Sequence, residues 1–309
     1  MSATDPNTAA AATTDNYRPE TPLRRLVSEF MTSPVAVIAL VVFIAIVLLA
    51  IFAPLIAPQN PYDLAQLDIM DSKLPPGEQS MAGNLTFWLG TDDQGRDILS
   101  GILYGLRISL LVGVSSAFLA LVVGGAIGLV AAYLGGRWDA LLMRVVDLQL
   151  SFPAILIALI LLAILGQGVD KVIIALVVSQ WAYYARTIRS TALVERRREY
   201  VEAAHCLALS PARIMFVHLL PNCLPPLIVI VTMRVAYAIA LEATLSFLGI
   251  GLPVTEPSLG LLIANGFEYM LSGDYWISFF PGAALVVTVL SINLVGDHLR
   301  DVLNPRLQS

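Results

Sequence analysis

Few residues in this 309-residue sequence have the types and spacing that covalent chemistry requires. The lysines, Lys73 and Lys171, do not follow a glycine, so the phosphate-binding pattern G-x-x-x-x-G-K-[ST] does not occur. The histidines, His205, His218 and His298, lack the H-E-x-x-H spacing of a zinc site, and no G-x-S-x-G marks a serine nucleophile. We therefore predict no catalytic residue, no cofactor and no metal site, and we expect that the protein is not an enzyme.

Two charged residues stand out because they lie inside an apolar run, residues 224–250. A charge near mid-bilayer costs at least about 2.5 kcal/mol, so ionisable residues in a membrane segment are functional candidates by default. Arg234 lies about 15 Å into this run at 1.5 Å per residue, and Glu242 lies about two turns further on. One hypothesis is that Arg234 lines a translocation path and meets a substrate carboxylate, with Glu242 facing the same cavity. The alternative is that a partner subunit or backbone carbonyl groups satisfy the arginine.

The composition explains why such runs would lie in a membrane. Hydrophobic residues make up 57% of the chain, charged residues 13%, and the mean hydropathy is +0.78. A soluble domain has about 45–50% apolar and about 25% charged residues. The net charge of −5 gives no basic surface, so we expect no nucleic-acid partner. The sequence predicts an all-α integral membrane protein.

Six apolar runs approach the roughly 20 residues that a membrane-spanning helix needs. They are residues 35–57, 106–133, 148–165, 172–188, 224–250 and 277–299. The third contains Pro153, and polar side chains dilute the fourth. One orientation places both termini and the loops after the second and fourth runs on the same side, together with most arginine residues. Because positive residues favour the cytoplasmic side, we predict six spans with cytoplasmic termini.

These spans divide the chain into four predicted parts. Residues 1–33 form a cytoplasmic tail, disordered over 1–20, with an amphipathic surface helix over 22–32 and no cleavable signal peptide. Residues 34–105 hold the first span and a long periplasmic loop. Residues 106–300 form the transmembrane core, including a loop over 191–222, and residues 301–309 form a cytoplasmic tail. We also expect a local ion pair between Arg144 and Asp147.

The loop over 191–222 has the sequence features of two short helices with a bend near residues 207–209. Ser210 and Pro211 provide an N-cap and a proline at the first helical position. Ala203 and Ala204 leave a bare helix face that another protein could approach closely, with Glu202 offering charge beside it. A solvated helical hairpin without a partner is the alternative.

Glu202-Ala203-Ala204, with Pro221 nineteen positions after the glutamate, resembles the EAA loop of permease subunits in binding-protein-dependent ABC importers. In that family this loop docks into a cleft on a cytoplasmic ATPase. The resemblance implies ATPase coupling by six residues: Glu202, Ala203, Ala204, Ala208, Ser210 and Arg213. Ala208 stands where the family has glycine, and a left-handed alanine costs about 1–2 kcal/mol. We therefore expect this bend to be built differently.

Residues 89–100 resemble the L-G-T-D-x-x-G-R-D-x-x-S signature of the subfamily that imports peptides and nickel. Thr91, Asp92 or Asp93 could cap the helix that follows, while Asp97 would favour its positive N-terminus. The resemblance further implies that an acidic rim receives an external binding protein. The residues predicted for this contact are Asp92, Asp93, Arg96 and Asp97.

Two further stretches carry the same subfamily resemblance. Residues 241–251 match E-A-x-L-S-F-L-G-x-G, and residues 280–305 match F-P-G…N-L-x-G-D-x-L-R-D-x-L-D-P, with Asn304 replacing the final aspartate. Between them, apolar residues after Ser258 predict a helix along the outer leaflet, with a stripe that continues to Met270 and Leu271. The resemblance covers about residues 22–307.

The resemblance implies a type I ABC importer permease fold and the second-type permease subunit of a dipeptide or oligopeptide importer in the bacterial inner membrane. The implied partners are a homologous permease, two ATPase subunits, an extracytoplasmic binding protein and membrane lipid. An importer of nickel or another small solute is the nearest alternative. An ion-coupled secondary transporter is a further one, but such folds usually show internal repeats and paired buried carboxylates. A membrane enzyme is disfavoured by the position of the histidines.

Overall fold

The computed structural model describes residues 22–63 and 66–303, and most of them are helical. The predicted disorder over residues 1–20 and the end of the predicted C-terminal tail, residues 304–309, lie outside the described residues. The helices are α1 (Pro22–Phe30), α2 (Pro34–Ile51), α3 (Ala53–Ile56), α4 (Ile98–Leu134), α5 (Gly136–Leu150), α6 (Ala154–Leu165), α7 (Val169–Glu195), α8 (Glu199–Cys206), α9 (Pro211–Arg213), α10 (Leu220–Phe247), α11 (Leu259–Phe267) and α12 (Trp276–Val302).

The remaining elements are short. A π-helical segment, Ile214–Leu219, joins α9 to α10, so Pro211–Phe247 is one helix of 37 residues. Two 3-10 turns cover Ile69–Asp71 and Met270–Ser272. A small antiparallel hairpin pairs β1 (Glu78–Gln79) with β2 (Thr86–Phe87).

Four helices in the described part of the chain are long and apolar enough to cross a membrane: α2, α4, the continuous helix Pro211–Phe247, and α12. They coincide with the first, second, fifth and sixth predicted runs. The boundary predicted between residues 105 and 106 falls inside α4, which begins at Ile98.

The third predicted run is wrong as one straight helix. Residues 148–150 end α5, and α6 has only 12 residues. The two helices are bent by 86° at the break, and they make a fifth span only if they cross the membrane as a pair. Pro153 explains the break, because proline lacks an amide donor and disfavours helical geometry in the preceding residue.

The fourth predicted run lies within α7, which packs along α4 at backbone distance. A Cβ atom on Gly124 would lie 2.1 Å from the Trp181 carbonyl oxygen, and one on Gly128 would lie 2.2 Å from that of Ala185. These glycines therefore allow the two backbones to touch. The inner face of α7 buries Gln180 completely, which explains why its sequence is less apolar than that of the other long helices.

The short helix predicted in the N-terminal tail is present as α1. Its last residue, Phe30, is buried, and the Phe30 carbonyl oxygen lies 3.1 Å from Nε2 of His298 on α12. The two rings meet edge to face with centroids 5.0 Å apart. Val27 remains exposed, so α1 keeps an apolar side chain free while its C-terminal end is fixed to α12.

Candidate functional site

The residues predicted to couple to an ATPase lie on a helical hairpin, which we define as residues 196–213. As predicted, it contains a short helix, α8, followed by a bend at residues 207–209. The second predicted short helix is not separate, because α9 continues through the π-helical segment into α10. Ser210 occupies the N-cap position, although its side chain makes no capping hydrogen bond. The hairpin is therefore joined to a long apolar helix without a flexible connection.

The bend corrects our expectation for Ala208, which adopts the left-handed conformation with φ of 54°. The Ala208 amide donates to the His205 carbonyl at 2.9 Å, and the Leu209 amide donates to the Ala204 carbonyl at 3.2 Å. This pair of hydrogen bonds is the Schellman motif, which usually places glycine at the left-handed position. Alanine here carries a strain of about 1–2 kcal/mol.

Only part of the predicted alanine face is open to a partner. Glu202, Ala203, Ala208 and Arg213 are exposed, as is Ser210. Ala204 is 3% exposed and packs in a core cluster with α4 and α7, so it is not available for docking in this conformation.

Sequence reasoning missed Leu207, whose side chain is 73% exposed at the bend. An apolar residue next to the family's glycine position was the available signal. Together with Ala203 it gives the hairpin an apolar contact surface beside the Glu202 carboxylate.

The hairpin is anchored to the end of α4. Nη1 of Arg196 donates to the Ala132 carbonyl oxygen at 2.9 Å, and the guanidinium lies 6.0 Å from the centroid of the Tyr133 ring. Val201 is buried in the same core cluster as Ala204. The hairpin therefore contacts α4 directly, and it continues into α10.

Ion pairs join α5 to α7 near the hairpin. Nη2 of Arg189 donates to Oδ2 of Asp139 at 2.6 Å, and Arg186 pairs with Asp147. The predicted partner of Asp147, Arg144 on its own helix, is therefore replaced by an arginine from α7. Both members of the Arg186 pair are more than half exposed, so we assign that pair little stability.

Helix α4 begins within the loop segment, which we define as residues 89–100. Its N-terminus is capped by a different residue from those predicted. Asp97 is the N-cap of α4, and its Oδ2 accepts hydrogen bonds from the Ser100 amide at 2.8 Å and hydroxyl at 2.6 Å. Asp92 instead stabilises the preceding turn, since its Oδ1 accepts from the amides of Gln94 and Arg96, each at 2.9 Å. Thr91 Oγ1 accepts from the Leu74 amide at 2.7 Å.

Most of the predicted acidic rim is buried. Asp92 is 3% exposed, Arg96 8% and Asp97 1%, whereas Asp93 is partly exposed. Burial raises the pKa of Asp92 to about 6 and also raises the pKa of Asp97. The buried residues Asp92, Arg96 and Asp97 therefore shape the loop. A contact with a binding protein stays a prediction for Asp93, which is partly exposed.

The loop segment is fixed to the rest of the chain through α12. Nε1 of Trp276 donates to the Thr91 carbonyl oxygen at 3.3 Å. A Cβ atom on Gly90, where φ is 81°, would lie 2.8 Å from the same indole ring. Glycine at residue 90 thus allows the tryptophan to press against the loop.

Arg234 is held by aromatic rings, which neither sequence-based alternative included. Its guanidinium carbon lies 3.6 Å from the Tyr183 ring centroid and 5.4 Å from that of Tyr237. The side chain is partly exposed and forms no ion pair within residues 22–63 and 66–303. The ring faces attract the charge but accept no conventional hydrogen bond, so the guanidinium keeps donors for an anion.

Glu242 does not share a cavity with Arg234, contrary to the prediction. It is fully buried, its Oε2 accepts from the Ser109 hydroxyl at 3.0 Å, and its Oε1 accepts from the Ser246 hydroxyl at 2.8 Å. Because Ser109 lies on α4 and Glu242 lies on α10, the hydrogen bond between them links the two helices. In this structure the Glu242 side chain is buried between the packed helices.

The helix predicted after Ser258 is α11, and its Ser258 N-cap accepts from the Leu261 amide at 3.3 Å. It ends at Phe267, so the predicted stripe at Met270 and Leu271 lies beyond it in a 3-10 turn. A Cβ atom on Gly260 would lie 2.3 Å from the Ala243 carbonyl oxygen, which shows how closely α11 packs on α10.

A bundle of long apolar helices is the architecture of a helical membrane protein. Residues 124–309 match the family described as binding-protein-dependent transport system inner membrane components. Residues 21–76 match the N-terminal transmembrane domain of oligopeptide transport permease C. The chain belongs to this family of binding-protein-dependent permeases, whose members are non-catalytic inner-membrane subunits.

Individual relatives cover nearly the whole chain. A putative peptide transport system permease protein of Brucella suis is 44% identical over 88% of each chain. The dipeptide transport system permease protein of Escherichia coli is 40% identical over 94% of this chain and 95% of its own. The di/tripeptide transport system permease protein of Pseudomonas aeruginosa is 37% identical over 93% of each chain.

A solved structure has a similar fold. An inward-facing conformation of the MetNI methionine ABC transporter matches with a TM-score of 0.54 and 21% sequence identity. The match covers 67% of this chain and 98% of the MetNI chain. At this identity the likeness concerns the fold alone, which is that of an ABC importer permease.

Proposed function

We propose that this chain is one permease subunit of an ATP-driven importer that moves short peptides across the bacterial inner membrane. The observation that carries the cargo assignment is that relatives named as peptide, dipeptide and di/tripeptide permeases match it over 88% or more of both chains. A nickel or other small-solute importer is the alternative cargo class.

The proposed topology has six spans and cytoplasmic termini. Four spans are the long apolar helices α2, α4, α10 and α12, and the bent pair α5–α6 would supply another. We assign the sixth to α7, because a span that packs against α4 does not need the apolar surface that lipid contact requires. Burial of Ser179 and Gln180 supports this assignment. The four predicted parts of the chain follow this topology, with α4 extending the core boundary to residue 98.

The proposed assembly contains two ATPase subunits, a second, homologous permease and an extracytoplasmic binding protein. Membership of the permease family implies the ATPase partners. The apolar groove of about 570 Å³ between α10, α11 and α12, lined by Phe247 and Leu285 among others, is available for the homologous permease. Asp93 is the residue of the loop segment that remains accessible to the binding protein.

In the proposed mechanism, the hairpin receives the movement of the ATPases. Glu202 and Ala203 would contact the ATPase directly, with Ser210 and Arg213 beside them, while Ala204 and Ala208 set the position and shape of α8. Closure of the ATPase pair would then shift a two-state equilibrium of the spans, because each state binds its partners differently.

Arg234 is the proposed contact for cargo within the path. Its guanidinium has charge and free donors between two aromatic faces, so it could receive the carboxylate of a peptide as a charge-assisted hydrogen bond. Glu242 would act at a distance from the cargo, by tying α4 to α10.

The test is uptake of a labelled dipeptide into proteoliposomes that contain the assembled transporter. Uptake that requires ATP and the binding protein, and that falls on Glu202→Lys substitution while the ATPase content is reduced, supports the proposal. Transport by this chain alone without nucleotide would overturn it. Uptake of nickel without peptide would replace the cargo assignment.

A further inference from the structure

A second cavity lies between the ends of α7, α10 and α12 that are next to the hairpin. Its volume is about 610 Å³, within the range of about 300–1,000 Å³ that small-molecule sites usually have. Its lining combines polar and apolar residues. We call the polar lining residues, among them Glu195, Asn222 and Arg300, the rim, and the apolar ones, among them Pro225, Pro226 and Met233, the floor.

The rim carries opposite charges on different helices. Glu195, at the end of α7, accepts from the Tyr200 hydroxyl at 3.0 Å and lies 3.7 Å from Nε of Arg198. Its side chain is only 18% exposed, so its position is well defined. Arg300, on α12, is exposed and forms no ion pair among the residues that the structure describes.

We propose that this cavity binds a small zwitterion with an apolar body, whose ammonium group is received by Glu195 and whose carboxylate or phosphate is received by Arg300. A short peptide with free termini and a zwitterionic lipid headgroup share this chemistry. The site is distinct from Arg234, which is not among the residues that line it. This proposal rests on the proposed function only in the choice of a peptide as the probe.

The experiment uses the full-length chain in nanodiscs of phosphatidylglycerol, because all the lining residues belong to one chain. Binding of labelled Ala-Leu dipeptide is measured by equilibrium dialysis. Loss of one charge-assisted contact should raise Kd about tenfold or more, so we expect that effect for Glu195→Gln and for Arg300→Gln. Matched controls are Asp170→Asn, at the opposite end of α7, and Arg144→Gln, an exposed arginine on α5; both should bind as the wild type does.

Blocked peptides identify which group meets which residue. N-acetyl-Ala-Leu should bind weakly and show no further loss on Glu195→Gln, and Ala-Leu-amide should show no further loss on Arg300→Gln. The proposal is overturned if both variants bind Ala-Leu as the wild type does, or if blocking the termini has no effect. It is also overturned if Arg234→Lys abolishes binding while the two rim variants retain it.

Two further measurements separate the remaining outcomes. Competition by added phosphatidylethanolamine that disappears in Arg300→Gln identifies a lipid headgroup as the resident zwitterion and supports the site. Ala-Leu binding by the chain, without Ala-Leu uptake by the assembled transporter, supports the site and rejects the proposed cargo. Thermal unfolding of Arg300→Gln should match that of the wild type, because this side chain is exposed, and Glu195→Gln should stay close to it, because glutamine can still accept from the Tyr200 hydroxyl.

Discussion

The rings of Tyr133 and His205 stack with their centroids 6.2 Å apart and their planes at 21°. Tyr133 lies in the last turn of α4, and His205 lies in the last turn of α8. Because α4 has 37 residues, it is about 55 Å long, and its other end begins at the Asp97 cap. The contact therefore places the hairpin at one end of a helix whose other end carries the loop segment.

We predict that this stacking contact contributes to coupling. Tyr133→Leu and His205→Ala should each lower peptide uptake by the assembled transporter several-fold without loss of the ATPase subunits on purification. The double variant should lose little more, because both changes remove the same contact. Trp138→Leu, at an exposed residue of α5, is the control. Wild-type uptake by both single variants and by the double variant would exclude a role for the rings.

We predict that Ala208→Gly stabilises the hairpin. Glycine adopts the left-handed conformation without the strain of alanine, which is about 1–2 kcal/mol, although part of this gain is offset by the entropy of the unfolded chain. The expected result is slower amide hydrogen exchange over residues 199–209. Ala208→Val should have the opposite effect, since a β-branched residue tolerates positive φ poorly. Faster exchange in the glycine variant would contradict the strained bend.

We predict that the loop segment becomes more stable as the pH falls. The pKa of Asp92 is raised by burial from 3.8 to about 6, so folding favours its protonated form. Stability is therefore gained as the pH falls through about 6, is complete below about 4, and is lost again as the pH rises; the full effect is about 3 kcal/mol at most. Asp92→Asn mimics the protonated form, because its carbonyl oxygen can still accept from the amides of Gln94 and Arg96.

Hydrogen exchange over residues 89–97 measures this effect. The Asp92→Asn variant should be better protected than the wild type at pH 7, and the difference should shrink at pH 5. The partly exposed Asp93 provides the comparison, and Asp93→Asn should leave the pH dependence in place. A difference that grows towards acid pH would reverse the assigned sign.

We predict that Gly128→Ala prevents the normal packing of α4 on α7. The new Cβ atom would lie 2.2 Å from the backbone oxygen of Ala185, which cannot move aside as a side chain could. Overpacking of this kind costs about 1–3 kcal/mol or more, and the yield of folded protein should fall. Gly282→Ala on α12 meets nothing within 4 Å and should be neutral or slightly stabilising. Similar melting temperatures for both variants would refute the close approach.

We predict that the aromatic contacts orient Arg234 for cargo. Tyr183→Leu removes the nearer ring face and should raise the KM for dipeptide uptake several-fold, while transport of a C-terminally amidated peptide changes less. Arg234→Lys retains the charge but loses the planar donor set, so it should show an intermediate effect. Normal uptake in both Arg234→Lys and Arg234→Ala would remove this residue from the path.

Local sequence patterns predicted the elements that depend on neighbouring residues. Long apolar runs located α2, α4, α10 and α12, and the apolar residues after Ser258 located α11. The acidic loop was recognised, but the N-cap of α4 was expected at Thr91, Asp92 or Asp93. Sequence alone does not show which side chain reaches the first free amide groups of the helix. Asp97 is the residue that does so.

Two of the errors concern contacts between distant segments. Glu242 was placed in a cavity with Arg234 because both lie in one run, but the serine on α4 that binds it is 133 positions away in sequence. Arg144 was chosen for Asp147 by helical spacing, whereas Arg186 comes from α7. The error at Ala208 is local, because neighbouring hydrogen bonds impose the left-handed conformation that this alanine was expected to avoid.

The unbroken helix Pro211–Phe247 has a mechanical consequence. Arg213 and Arg234 are separated by 21 residues along it, or about 32 Å. If such a rod tilts about a point near its middle, its two tips swing in opposite directions. A single rocking motion would then widen the passage at one membrane face and narrow it at the other, without a separate gate for each.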